Sequence, residues 1–77
     1  MKDLLLFIVR SLVDEPDRVD ITEIEESEDS VLFEIRVAES DMGKVIGRQG
    51  RIAKAIRTVM KSAANKEHKK VTVDIKE

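Results

Sequence analysis

Two glycines bracketing two polar residues, Gly47-Arg48-Gln49-Gly50, are the segment whose residue types and spacing point most directly to chemistry. Glycine has no Cβ, so the backbone can turn sharply there and another backbone can approach closely. The residues after Gly50 read as a helix. A helix start offers free N–H groups and the positive end of its dipole to an anion. Arg48 adds a cation at the tip. Lys44, Arg51, Lys54, Arg57 and Lys61 surround it, with no acidic residue anywhere in 42–61. That combination suits a nucleic-acid backbone better than a single small phosphate. The segment is not a P-loop, because the Walker spacing and its Lys-Ser/Thr pair are missing. Nor is it a dinucleotide fingerprint, since there is no G-x-G-x-x-G. On spacing alone a tight turn between helices is the simpler account of two glycines. An ordinary solvated face is likewise the simpler account of the basic run. Arg48 and the missing counter-charge favour the anion-binding reading.

Little else in the chain is equipped for catalysis. With no cysteine there is no disulfide, thiolate nucleophile or thiolate metal site. The one histidine, His68, lies in Lys66-Glu67-His68-Lys69-Lys70 and reads as a surface residue of a charged loop. Glu23, Glu25, Glu26, Glu28 and Asp29 lack the pattern of a calcium loop. They read as a solubilising surface that repels phosphate and so steers a polyanion to the basic side. Met42 and Met60 read as core fillers. The expectation is a binding protein, not an enzyme, with no cofactor and no metal.

These residues need elements to position them. Leu5, Ile8, Val9 and Leu12 recur at helical spacing, with Leu4 and Val13 widening the stripe. Asp14-Glu15-Pro16-Asp17 ends that helix, because proline pushes its predecessor out of the α region. Leu6 and Phe7 fall outside the stripe; ordinary exposed side chains and a partner-binding surface fit them equally well. Residues 19–26 read as a strand with a break of parity. Val19 and Ile21 face one way and Ile24 the other, which predicts a bulge or a frayed end. After the turn Ser27-Glu28-Asp29-Ser30, the alternation of Val31, Phe33, Ile35 and Val37 marks a central strand with one buried face. Ser40 reads as an N-cap with Asp41 in the first turn. A short helix carries Met42, Lys44, Val45 and Ile46. A longer one follows the glycines, with Ile52, Ala55, Ile56, Val59, Met60 and Ala63 on one face and Lys54, Arg57 and Lys61 on the other. Asn65 is its expected stop. Val71, Val73 and Ile75 alternate in a last strand. The order is α-β-β-α-α-β, an α+β fold. A hairpin plus one strand reached by a helical crossover predicts a three-stranded mixed sheet with the helices on one face.

Val45-Ile46-Gly47-Arg48-Gln49-Gly50, set between two helices, resembles the GXXG signature of KH domains, and the element order is that of the type II KH fold. The stretch from Asp41 to Met60 and the opening helix with Asp14-Glu15-Pro16-Asp17 are similar to the KhpA family of small bacterial single-KH proteins. The likeness spans essentially the whole chain. It implies a groove for single-stranded RNA, in which such a loop clamps about four nucleotides. Carried over by position, Gly47, Arg48, Gln49 and Gly50 form the clamp. Val45 and Ile46 enter the groove from the helix before it, and Arg51, Lys44 and Lys54 supply charge around it. One departure stands out: the broad KH pattern has an aliphatic residue three positions after the second glycine, and here that position is Ala53, preceded by Ile52. The resemblance also implies self-association, pairing with a KhpB-like KH-containing partner, and a place in post-transcriptional regulation and in control of cell elongation and division.

The 77 residues are expected to form one domain, 1–77. Net charge is −2, but residues 1–41 sum to −9 (four basic, thirteen acidic) and 42–77 to +7 (ten basic, three acidic). Such polarity leaves room for a polyanion site despite the acidic balance. The apolar run Leu4 to Val9 is far short of the ~20 residues of a membrane helix and lacks a signal-cleavage pattern. A cytoplasmic protein is expected. With no Tyr or Trp, and Phe7 and Phe33 the only aromatics, stacking platforms are not expected. Two further readings stay open: an adaptor whose KH fold acts through a protein partner, and binding of single-stranded DNA.

Overall fold

The computed structural model describes residues 1–76. Its elements are α1 (Lys2–Leu12), β1 (Asp20–Ser27), β2 (Ser30–Arg36), α2 (Met42–Ile46), α3 (Arg51–Lys66) and β3 (Lys70–Lys76), the predicted order. The sheet runs β1-β2-β3, with β1 antiparallel and β3 parallel to β2. The most apolar strand is thus central. Val31, Phe33 and Ile35 turn one face of β2 inward against Leu5 and Val9 of α1, Val45 of α2, and Ile56 and Met60 of α3. Phe33, Ile35, Leu5, Val9, Val45 and Met60 are fully buried.

The parity break in β1 has a plainer cause than a bulge at that point. Ile24 pairs with Leu32 in regular register, on the sheet face turned away from the helices, and is 39% exposed. The irregularity comes later, between Glu25 and Ser27, next to the turn. On the same open face Lys76 Nζ lies 2.8 Å from Glu34 Oε2. That hydrogen bond holds the Glu34 carboxyl below the usual range, against a smaller opposing effect of burial.

Two helix ends differ from the sequence reading. Ser40 is not the N-cap of α2. It sits inside a 3₁₀ turn, Glu39–Asp41, and its hydroxyl lies 3.3 Å from Glu15 Oε2. Asp41 flanks α2 instead, and its buried carboxylate accepts the backbone N–H groups of Asp14 (3.1 Å) and Glu15 (3.0 Å). The chain leaves α1 at Val13, which is extended, so those N–H groups have no helical partners. A carboxylate that takes both satisfies them in one step. Asn65 is not the stop of α3 either. Lys69 N–H is donated to Ala64 O (2.9 Å) and His68 N–H to Asn65 O (3.1 Å), with His68 left-handed at φ 58°. This is a Schellman termination, with His68 in the position glycine usually takes.

The apolar face of α3 is also rotated from the expected one. Ala53, Ile56, Met60 and Ala64 are buried, whereas Val59 is 44% exposed and Ala55 is exposed. At about 100° per residue, the helix divides into three flanks. One faces the core. One, with Ile52, Ala55 and Val59, runs beside α1. The third, with Lys54, Arg57 and Lys61, runs toward β3.

Candidate nucleic-acid interface

The turn between α2 and α3 depends on backbone conformations that glycine supplies. Gly47 has φ 76° and ψ 174°, a region essentially closed to residues with a Cβ. A Cβ built there would lie 2.6 Å from Ile52 Cγ1 and 2.9 Å from Ile52 Cβ. Gly50 is left-handed at φ 73°, ψ 15°, but opens onto empty space. Between them Gln49 is also left-handed, at φ 57°, ψ 25°. Gly50 N–H closes the turn on Gly47 O at 3.2 Å. The side chains of Arg48 and Gln49 are exposed, and Arg51 Nη2 donates to Gln49 Oε1 at 3.3 Å. The loop therefore presents two polar side chains from a backbone held by one glycine that nothing can replace without movement.

The other expected site residues separate into groups. Ile46, 38% exposed, and the exposed Arg51 and Lys54 flank the turn. Val45 is fully buried in the core, so it can support the loop from beneath but not touch a ligand. Lys44 is turned to carboxylates, 3.2 Å from Asp14 Oδ2 and 3.7 Å from Asp41 Oδ1. Its hydrogen bond to Asp14 and the charges of both carboxylates raise the ammonium pKa. Burial works against the charged form of Asp41, but the Asp14 and Glu15 N–H groups and Lys44 together outweigh it and keep that carboxyl below its ordinary value. Lys44 thus belongs first to the brace that holds α2 against the chain leaving α1. Ala53 is buried, and Ile52 is the side chain packed under Gly47.

The structure adds residues outside that set. Arg57 and Lys61, with Val71, Thr72, Val73 and Asp74, line a cleft of about 350 Å³ between α3 and the free edge of β3. Arg57 Nε donates to Val73 O across it at 3.1 Å. Their i, i+4 spacing was a legible signal for a shared column. What that column faces depends on where β3 lies. A second cleft, about 370 Å³, lies on the opposite flank of α3, lined by Ile8, Leu12, Ile52, Ala55 and Val59 with Arg51 at its edge. Phe7 projects elsewhere, 71% exposed, beside Leu6 and Arg10 on the outer side of α1. One acidic cluster lies at the far end. Glu23, Glu25 and Glu28 surround a hollow with Met1 and Lys69. The hairpin turn there is tied to the start of β3 by Lys70 N–H donating to Asp29 O at 2.7 Å. The 16 residues of α3, about 24 Å at ~1.5 Å per residue, separate that end from the glycine turn. Among the described residues no group of three or more His, Cys, Asp or Glu could hold a metal ion, and no helix is long and apolar enough to cross a membrane.

A mixed sheet in α-β-β-α-α-β order, with a Gly-x-x-Gly turn joining the two crossover helices, defines a KH domain of the type II arrangement. Comparison with known proteins agrees. Residues 2–75 match the family described as KhpA/KhpB, KH domain. RNA-binding protein KhpA of Clostridium acetobutylicum is 60% identical over 75 residues, covering 97% of this chain and 99% of that protein. The protein of the same name from Clostridium perfringens is 57% identical over the same coverage. That from Chlamydia trachomatis is 42% identical over 77 residues, 100% of this chain and 97% of the relative. The chain belongs to the KhpA/KhpB family of KH-domain proteins.

Proposed function

We propose that this chain is a non-catalytic RNA-binding protein, residues 1–77 acting as one KH domain that grips short single-stranded RNA. The observation that carries the reading is continuity. The glycine turn 47–50 leads straight into an acid-free basic flank of α3, which ends in the cleft along the edge of β3. In this mechanism the strand backbone lies against the 47–50 turn and the first turn of α3. Arg48, Arg51 and Lys54 neutralise phosphates, Gln49 offers a polar contact, and Ile46 with the buried Val45 supports the loop. The relatives' name, RNA-binding protein, supports the same polymer. Acidic side chains at the opposite end disfavour binding there. The cellular role that fits is a cytoplasmic post-transcriptional regulator or RNA chaperone.

The test is fluorescence anisotropy of labelled single-stranded RNA and matched DNA with the parent chain and with an Arg48→Asp, Gln49→Asp variant. Circular dichroism confirms folding of both. With two or three phosphates neutralised, log affinity falls with log salt at a slope of roughly −1.4 to −2.1. The folded variant loses binding. Unchanged affinity in that variant overturns the clamp.

The apolar cleft beside α1 favours a second component of the proposal: protein association. A homodimer, a heterodimer with a KhpB-like KH protein, or both cover Ile52 and Val59 on the flank of α3 away from the basic cleft. If the parent chain and the variant both fail to bind RNA at tens of micromolar, an adaptor acting through this surface becomes the leading reading.

A further inference from the structure

The outer face of α1 lies opposite the face that Leu5 and Val9 bury in the core. Asp3, Leu6, Phe7, Arg10 and Ser11, all from this one helix, line a shallow hollow of about 420 Å³ on it. Phe7 is 71% exposed, more than any other large apolar side chain among the described residues. Ser11, at the margin, donates its hydroxyl to Phe7 O at 2.7 Å. Asp3 and Arg10 are exposed as well, and neither side chain makes an ion pair or hydrogen bond with another described residue. An apolar centre is therefore flanked along the helix by one carboxylate and one guanidinium, both without a counter-charge.

The arrangement is complementary to itself. At about 100° per residue, Asp3 and Arg10 lie within about 20° of one line along the helix, and Leu6 and Phe7 flank that line by about 50° on either side. The four positions are symmetric about the point midway between Leu6 and Phe7. A two-fold axis through that point brings a second α1 alongside, antiparallel. Asp3 then meets Arg10 of the second copy, Leu6 meets its Phe7, and both contacts are repeated. Parallel pairing sets like charges against each other instead. We propose that the outer face of α1 is a self-association surface, on which a second copy of this chain docks antiparallel through Phe7 and two Asp3–Arg10 pairs. The surface is separate from the apolar cleft, to which α1 contributes Ile8 and Leu12 from another flank. It does not rest on the RNA-binding reading. Two helices of 11 residues bury less than the standard interface of about 1,200–2,000 Å², so the contact is weak. Used together with a homodimer through the cleft, it joins more than two copies.

The experiment is sedimentation equilibrium of the full chain at up to millimolar concentration, in a Val59→Lys background that blocks the cleft. Association persists in that background, and Phe7→Ala weakens it about tenfold. Because Phe7 is exposed, the fold survives, as circular dichroism checks. Asp3→Arg and Arg10→Asp each turn two attractive pairs into two repulsive ones, and each weakens association about tenfold. Mixed in equal amounts, these two variants recover it, because their heterodimer again sets opposite charges at both ends. Single substitutions that leave association unchanged, or a mixture no better than its components, overturn the antiparallel pairing. A background chain that stays monomeric also overturns it and leaves the face to a different partner. None of these outcomes bears on RNA binding, which the anisotropy titration tests separately.

Discussion

Replacing Gly47 by alanine tests the central feature of the loop. At φ 76°, ψ 174° a Cβ meets intrinsic strain of roughly 1–3 kcal/mol. It also lands 2.6 Å from Ile52 Cγ1 and 2.9 Å from Ile52 Cβ. Because Ile52 Cβ is fixed to the backbone of α3, a rotamer change cannot relieve both contacts. Overpacking of this kind costs about 1–3 kcal/mol more. The sum, about 2–6 kcal/mol, is large against the roughly 4–12 kcal/mol expected of 77 residues. Gly50→Ala is the internal control. Its conformation is ordinary left-handed and its surroundings are open, so it loses only about 1–2 kcal/mol. Urea unfolding of the parent chain and both variants, followed by circular dichroism, measures the difference. Ile52→Ala in the Gly47→Ala background removes most of the clash. The pair should therefore show a favourable coupling of about 1 kcal/mol or more. Equal destabilisation at the two glycines, or purely additive effects with Ile52, refutes the steric account of the loop.

Three other outcomes follow from particular contacts. His68→Gly relieves the left-handed strain at the end of α3 and stabilises by about 1 kcal/mol. For a domain of this size, that raises Tm by roughly 4–8 °C in thermal unfolding; no gain refutes the Schellman assignment. The Asp41 carboxyl is held below its ordinary value in the folded chain, so its contribution is present above the unfolded carboxylate range and lost as pH falls through the folded value. Urea midpoints across the acid range should drop less steeply for Asp41→Asn than for the parent chain, and parallel curves overturn the brace. Val59 is 44% exposed in the apolar cleft, so Val59→Lys weakens self-association seen by analytical ultracentrifugation while the fold survives. A parent chain that is monomeric at high micromolar concentration removes the homodimer.

The order of elements, the central place of β2 and the parallel pairing of β3 were legible in the sequence, because each rests on local periodicity and crossover length. The glycine turn was legible for the same reason: a backbone that needs positive φ leaves glycines at fixed spacing. At α2 the errors arose where a residue's partner is distant in sequence. Ser40 and Asp41 look like a local cap, but the N–H groups that claim Asp41 are 26 and 27 positions away. Lys44 reads as a phosphate ligand until Asp14 is brought within 3.2 Å of it.

The amphipathic pattern of α3 is equally ambiguous. Its apolar arc is wider than one packing partner covers, and sequence cannot say which edge of the arc meets the sheet. Docking on β2 and β3 decides that Ala53, Met60 and Ala64 go inward, that Ile52 and Val59 remain on an open flank, and that Arg57 reaches Val73. Chain geometry and charge composition are local properties, so the residues alone were enough to place a glycine-hinged, cation-rich turn between two helices of an α+β domain. Which of those cations are free to meet a polyanion is settled by the fold, because pairing depends on which distant carboxylate or carbonyl it brings into reach.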